Sequence, residues 1–297
     1  MGHSMTGKIL SVRGLNKSFK HKQVLFDVAF DCQAGRIVAL VGANGAGKTT
    51  IMKAILGLIK SSGEVEIAGK RVGFNHSVSS SDVGALIEYP GIYPFLTGRQ
   101  HLEMFAQDLT YLDQLVAKLK MTAYIDRPAN KYSLGMKQKL GVALALINRP
   151  KFVILDEPMN GLDPQATRDL RNLIEEEAKK GTSFLISSHI LAELQKFADD
   201  VVIVKHGRVV KNSTMAELLA KDQLLITLKT SDDKQARQVL VAADYKVLAT
   251  PELKIVCQTE ADVETALVLV QERGILIKNL FRNSGDLEKT VLDLIER

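Results

Sequence analysis

A chain of 297 residues, 46% hydrophobic and 25% charged, has the make-up of a globular protein with a substantial core and exceeds the usual length of one domain. Its two cysteines, Cys32 and Cys257, lie far apart without metal-ligand spacing, which argues against a cysteine-held metal and suits a reducing cytosol. The formal charge of +5 is carried by residues 1 to 222, the remainder being slightly acidic; so small an excess fits an anionic ligand or membrane proximity but reads more simply as solubility, and no apolar run reaches the ~18 residues that cross a bilayer.

The opening Met-Gly-His-Ser-Met reads as an expression remnant ahead of a start at Met5. Alternating polarity predicts short strands over Ile9 to Val12 and Val24 to Phe30, with Gly14 to Lys17 as a turn between them. Arg36 to Val41 is a continuous apolar run ending in glycine, the pattern of a strand buried on both faces, and a helix follows from about Gly47 to Leu58. Glu64 to Ala68 and Arg71 to Phe74 read as further strands, and the serine-rich stretch 77–81 as a surface loop. Residues 97–126 and 136–148 carry helical periodicity, which makes a mostly helical block of about 90–150. Apolar strands at Lys151 to Leu155, Ser183 to Ser187 and Val201 to Val204 then alternate with helices over Pro164 to Lys180 and Ile190 to Ala198, a βαβ pattern. From 219 onward the order becomes strand, helix, strand, strand, helix, strand, helix, with the last helix over Gly285 to Glu296. That order describes a small α+β, ferredoxin-like unit. The predicted division is therefore 5–218 and 219–297.

Two stretches carry chemistry. Gly42-Ala-Asn-Gly-Ala-Gly-Lys-Thr-Thr50 has the phosphate-loop spacing and sits between a buried strand and a helix start. Gly42, Asn44, Gly45 and Gly47 shape a loop whose amides face phosphate oxygens, Lys48 reaches the terminal phosphates, and Thr49, with Thr50 beside it, opens the helix and would ligate Mg²⁺. The second stretch, Phe152 to Pro158, puts Asp156 at a strand end, suited to the metal, with Glu157 beside it as a general base for water. Lys131 to Leu140 places Ser133 and Gly135 just ahead of a helical run, where an N-cap serine alone would be ordinary.

The glycine loop, Tyr132-Ser-Leu-Gly-Met136, Leu155-Asp-Glu-Pro158, Gly161-Leu-Asp-Pro164 and Ser187-Ser-His189 together resemble the motifs of ATP-binding cassette ATPases, in their order and spacing over about residues 8–215. The resemblance implies a P-loop α/β ATPase with an antiparallel β subdomain and a helical subdomain. It also implies an ATP-bound homodimer using ATP and Mg²⁺, in which Ser133 and Gly135 of one copy meet the γ-phosphate held by the other. Leu134 and Met136 depart from the family's glycine and glutamine in that motif. By the same resemblance Phe19 stacks on adenine, a core phenylalanine being the competing reading; Asp163 links the two sites, and His189 contacts the γ-phosphate. Glu88 stands where most of the family has a glutamine that touches the metal. With the Ser-Leu-Gly-Met motif, this is similar to the ATP-binding subunits of lantibiotic-immunity and bacitracin-type peptide exporters. The resemblance therefore implies a transport motor at the inner face of the cell membrane, working on a separate permease docked near Tyr89 to Thr97. A cassette ATPase acting on a soluble partner is the alternative.

Overall fold

The computed structural model describes residues 7–74, 79, 82–189, 191–220, 224–248, 250–257 and 259–283. Two compact units divide at Met215, Met1–Met215 and Ala216–Arg297.

Alternating polarity opens the first unit with two antiparallel strands of 12 residues each, β1 (Lys8–Phe19) and β2 (Lys22–Gln33). The turn predicted at Gly14 to Lys17 does not form, because β1 runs through it. Gly14, at φ +58°, serves an irregularity instead, where the register against β2 shifts between Val12 and Leu15. Asn16 satisfies the exposed backbone there: its amide donates to Gly14 O at 2.8 Å and its oxygen accepts from Asp27 N–H at 2.9 Å. A glycine near an asparagine suits a bulge as well as a turn, so local composition could not separate the two.

β3 (Ile37–Val41) is buried at every position, as its unbroken apolar run predicts. It leads into α1 (Lys48–Ile55), shorter than the predicted helix, and then to β4 (Ser62–Ile67) and β5 (Lys70–Val72), which complete an antiparallel sheet in the order β2-β1-β4-β5. β6 (Val83–Leu86) has no counterpart among the predicted strands. It has only 4 residues, and Gly84 breaks its apolar run for a packing reason: a Cβ there would lie 1.8 Å from the carbonyl oxygen of Ala145. Gly84→Ala is accordingly expected to destabilise this unit by more than ~2 kcal/mol, read as a fall of at least ~4 °C in the thermal midpoint. An unchanged midpoint would mean that the helix carrying Ala145 gives way at no cost.

The helical block comprises α2 (Gly98–Glu103), α3 (Leu109–Lys118) and α4 (Leu134–Leu146). Thr97 and Gln100 form a capping box for α2, and Asp108 caps α3. α4 starts ahead of the predicted 136, since Ser133 Oγ accepts the Met136 N–H at 3.2 Å.

After it come β7 (Phe152–Leu155), α5 (Pro164–Lys179), β8 (Ser183–Ser188), α6 (Leu191–Leu194), β9 (Asp200–Lys205) and β10 (Arg208–Thr214). They build a second sheet in the order β10-β9-β3-β8-β7-β6, parallel except for β10, a strand the sequence reading did not anticipate. α6 is shorter than the predicted helix, and past it Phe197 N–H and Ala198 N–H close a turn on Leu194 O. Leu155 pairs with Ile186 and Val41 with Ser188, so the residues after β3, β7 and β8 emerge together at the C-terminal ends of the parallel strands.

α7 (Met215–Ala220) leads to the second unit. There β11 (Leu224–Thr230), α8 (Asp233–Ala242), β12 (Lys246–Val247), β13 (Leu253–Cys257), α9 (Glu260–Glu272) and β14 (Ile277–Asn283) form an antiparallel sheet in the order β12-β13-β11-β14. Its core joins Ile226, Leu228, Leu253 and Ile255 of the sheet to Leu240, Val263 and Val270 of the helices. The start at Met5, the closing helix over 285–296 and, apart from Ser79, the loop 77–81 lie outside the described residues. Among the described residues no helix is long and apolar enough to cross a membrane.

Candidate nucleotide site

The loop between β3 and α1 exposes Ala43, Asn44 and Gly45 at its tip while Gly42 is buried beneath them. Gly42 is needed for packing, because a Cβ would sit 2.4 Å from the Val204 carbonyl oxygen of β9. Gly47 is the N-cap of α1 at φ +110°, and no side chain caps that helix. Its first-turn amides, with Thr49 and Thr50 among them, therefore keep the free donors and partial positive charge that attract an anion. Lys48 is buried at 6% exposure, and its Nζ donates to Gly42 O at 2.8 Å.

At the end of β7, separated from β3 by β8, Asp156 is 4% exposed. Thr49 Oγ1 donates to its Oδ2 at 2.6 Å and Ser187 Oγ to its Oδ1 at 2.5 Å. Among the described residues no lysine, arginine or histidine forms an ion pair with Asp156, so a buried carboxylate held by two hydroxyls lacks a countercharge. Asp156 and Thr49 thus offer a pair of hard oxygen donors at a position that calls for a cation, which fits Mg²⁺.

Glu157 adopts φ +49°, which turns its side chain out of the strand line. Its Oε1 lies 3.4 Å from Lys48 Nζ, and its Oε2 lies 2.8 Å from His189 Nδ1. The backbone is clamped as well: Glu157 N–H donates to Ser187 Oγ at 2.8 Å, and Gln138 Nε2 of α4 donates to Glu157 O at 3.1 Å. Sequence reasoning missed Ser187 and Gln138 as site residues. For Ser187 the signal was its place in the quoted Ser-Ser-His stretch; Gln138, set between Lys137 and Lys139, carries none, and only the fold buries it to 4% exposure.

A cleft of about 360 Å³ opens over these groups, lined by Thr49, Glu88, Tyr89, Leu134, Gln138, Asp156 and Glu157. Glu88 reaches its wall at φ +58°, yet its carboxylate bonds Lys53 Nζ at 2.7 Å rather than Thr49 or Asp156. A larger cleft of about 700 Å³, lined by Tyr111, Arg149, Glu177 and Lys180 among others, contains none of the predicted site residues.

The remaining predicted residues stand apart. Phe19, at the end of β1, is 48% exposed with the Lys17 ammonium 4.6 Å from its ring centroid, which overturns the core reading. Ser133 caps α4, and a Cβ on Gly135 would lie 2.8 Å from Gly161 O, so that helix start is packed against the Gly161 loop. Asp163 caps α5 by accepting the Gln165 and Ala166 N–H groups at 2.9 and 2.8 Å. Among the described residues no hydrogen bond joins Phe19, Ser133, Gly135 or Asp163 to the glycine loop.

Oxygen donors from two adjacent strand ends, set against a lysine-bearing loop at a helix start, are what a phosphate-loop nucleotide hydrolase requires. The added antiparallel sheet and helical block narrow that class to the cassette ATPases. The ABC transporter family model matches residues 25–160. An uncharacterised ABC transporter ATP-binding protein of Bacillus subtilis (strain 168), YdbJ, is 40% identical over 212 residues, 69% of each chain. The lantibiotic transport ATP-binding protein SrtF of Streptococcus pyogenes is 36% identical over 68% of this chain and 89% of its own length. The bacitracin transport ATP-binding protein BcrA of Bacillus licheniformis is 33% identical over 77% of each. A solved ATP-binding subunit of an ABC transporter superposes with a TM-score of 0.65 at 31% identity, over 71% of this chain and 91% of that one. The chain belongs to the ABC transporter family, as an ATP-binding protein that hydrolyses ATP.

Proposed function

We propose that this protein is the ATP-hydrolysing motor of a membrane exporter for a peptide antibiotic or similar membrane-active compound. The observation that carries the motor reading is the cluster of Lys48, Thr49, Asp156, Glu157 and His189 at the C-terminal ends of the parallel strands. The export reading is supported by similarity to proteins named for lantibiotic and bacitracin transport.

In this reading the loop Gly42 to Gly47 and Lys48 hold the phosphates, while Thr49 and Asp156 hold Mg²⁺, with Glu88 reaching it from the cleft wall. The metal supplies charge neutralisation to the phosphates when bound. Glu157 takes the proton from the attacking water, and His189 orients the Glu157 carboxylate and faces the γ-phosphate. Phe19 stacks on the base. Ser133, Gly135 and Asp163 serve the site of a second copy, consistent with their separation from the glycine loop in one chain. Residues 219–297 are a ferredoxin-like accessory domain. The protein works in the cytoplasm, bound through a permease to the inner membrane face, and takes no nucleic acid.

The surface suited to the permease is apolar. Tyr89, Tyr93 and Phe95 are exposed, and beside Tyr89 a cleft of about 430 Å³ is lined by Leu56, Leu58, Ile87 and Leu144. A cytoplasmic helix with an apolar face fits such a groove. Tyr93→Glu with Phe95→Glu is expected to abolish permease-stimulated ATPase while leaving the basal rate within about twofold; retained stimulation would remove this loop from the interface.

The transport reading is tested by expressing tagged Glu157→Gln protein in its native cells, trapping it with ATP and identifying what co-purifies in detergent. A polytopic membrane protein in fixed ratio is the expected result. Soluble partners alone would leave an ATPase and end the transport assignment.

A further inference from the structure

Three carboxylates line the cleft, and each is held differently. Asp156 is bound by two hydroxyls, and Glu157 by Lys48 and His189 within the site. Glu88 is instead paired with a side chain that touches neither Asp156 nor Glu157, the Lys53 ammonium at 2.7 Å. Lys53 lies four residues after Thr49 on α1, so both share one helix face, and Glu88, paired with Lys53, lines the same cleft as Thr49. The Glu88 side chain is 56% exposed and that of Lys53 30%, which makes the pair solvent-screened and easily exchanged. A divalent ion seated at Thr49 and Asp156 is a stronger partner for that carboxylate than one screened ammonium.

We propose that Lys53 competes with the metal for Glu88: the ion pair parks the carboxylate away from Thr49 and Asp156 until a divalent ion draws it over. Lys53 is then a positioning residue that sets how much metal the site needs, and it also balances the charge that Glu88 adds to an already acidic cleft. The inference rests on the reading of Glu88 as a group that faces the metal.

The test is Mn²⁺ binding to the full chain with a non-hydrolysable ATP analogue, followed by electron paramagnetic resonance, for Lys53→Met, Glu88→Gln and the double variant. Lys53→Met is expected to tighten Mn²⁺ binding by about two- to fivefold, the range of an exposed ion pair, and Glu88→Gln to weaken it. In the double variant the gain from Lys53→Met disappears. Unchanged or weaker binding in Lys53→Met would overturn the proposal, as would an equal gain with and without Glu88, which signals a general charge effect. If Glu88→Gln by itself leaves Mn²⁺ affinity unaltered, the metal reading of Glu88 fails. If Glu88→Gln weakens binding while Lys53→Met does nothing, only the competition fails.

Discussion

Glu157→Gln is expected to lower the ATPase rate by about 10²- to 10⁴-fold while leaving ATP affinity within about threefold, because it removes a proton acceptor and little else. The glutamine keeps the size of the side chain, and its amide oxygen can still face Lys48 Nζ, now 3.4 Å from Oε1, or the His189 ring, now 2.8 Å from Oε2. The backbone clamps from Ser187 and Gln138 do not involve the side chain at all, so the positive-φ turn at residue 157 survives. What changes is basicity: an amide does not take a proton from water near neutral pH. Single-turnover ATP hydrolysis on the purified chain measures the loss, and fluorescent-nucleotide titration measures binding. A variant that keeps more than a third of the wild-type rate would remove Glu157 from the role of base and shift attention to His189. A variant that loses binding as well would mean that the carboxylate holds Lys48 in place, a structural duty.

The parts of this site that were legible in the sequence are those whose chemistry and backbone constraint coincide in one short stretch. Gly42 to Thr50 combines a buried strand, glycines and a Lys-Thr pair within nine positions, and the same holds for Phe152 to Glu157 on its all-buried strand. Ser187 and Gln138 act only through neighbours that folding supplies. Ser187 reaches Asp156 because β7 and β8 pair in parallel with Leu155 opposite Ile186, and Gln138 reaches Glu157 O because α4 packs over that strand end. No local pattern encodes either approach. The same distinction explains the fold. The βαβ strands and the second unit's elements follow alternation and apolar runs, and from β11 to β14 they come in the predicted order of strand, helix, strand, strand, helix, strand. β6 was invisible because Gly84 answers to the Ala145 carbonyl of α4, and the turn at Gly14 was misread because its neighbours, not its residues, decide between turn and bulge.

Lys48→Met is expected to weaken ATP binding by roughly 10- to 150-fold, the equivalent of about 1.5–3 kcal/mol for a hydrogen bond to a charged group. Methionine preserves the buried stem, which matters at 6% exposure, and deletes only the ammonium. In the folded chain that ammonium spans the loop, 2.8 Å from Gly42 O and 3.4 Å from both Ala43 O and Glu157 Oε1, so it is already desolvated and aimed at the hollow where phosphate oxygens would sit. Its removal also leaves Glu157 facing the triphosphate without a cation between them, and like-charge repulsion adds to the loss. The helix N-terminus still offers its amides, which is why binding weakens and does not vanish. Thermal denaturation with and without ATP reads this directly. At a nucleotide concentration 100 times the wild-type dissociation constant, binding stabilises wild type by about 2.7 kcal/mol, and a 100-fold weaker site reduces this to about 0.4 kcal/mol. A full ATP-induced shift in Lys48→Met would place the phosphates beyond reach of this loop, and the assignment of residues 42–50 as the nucleotide seat would fall with it.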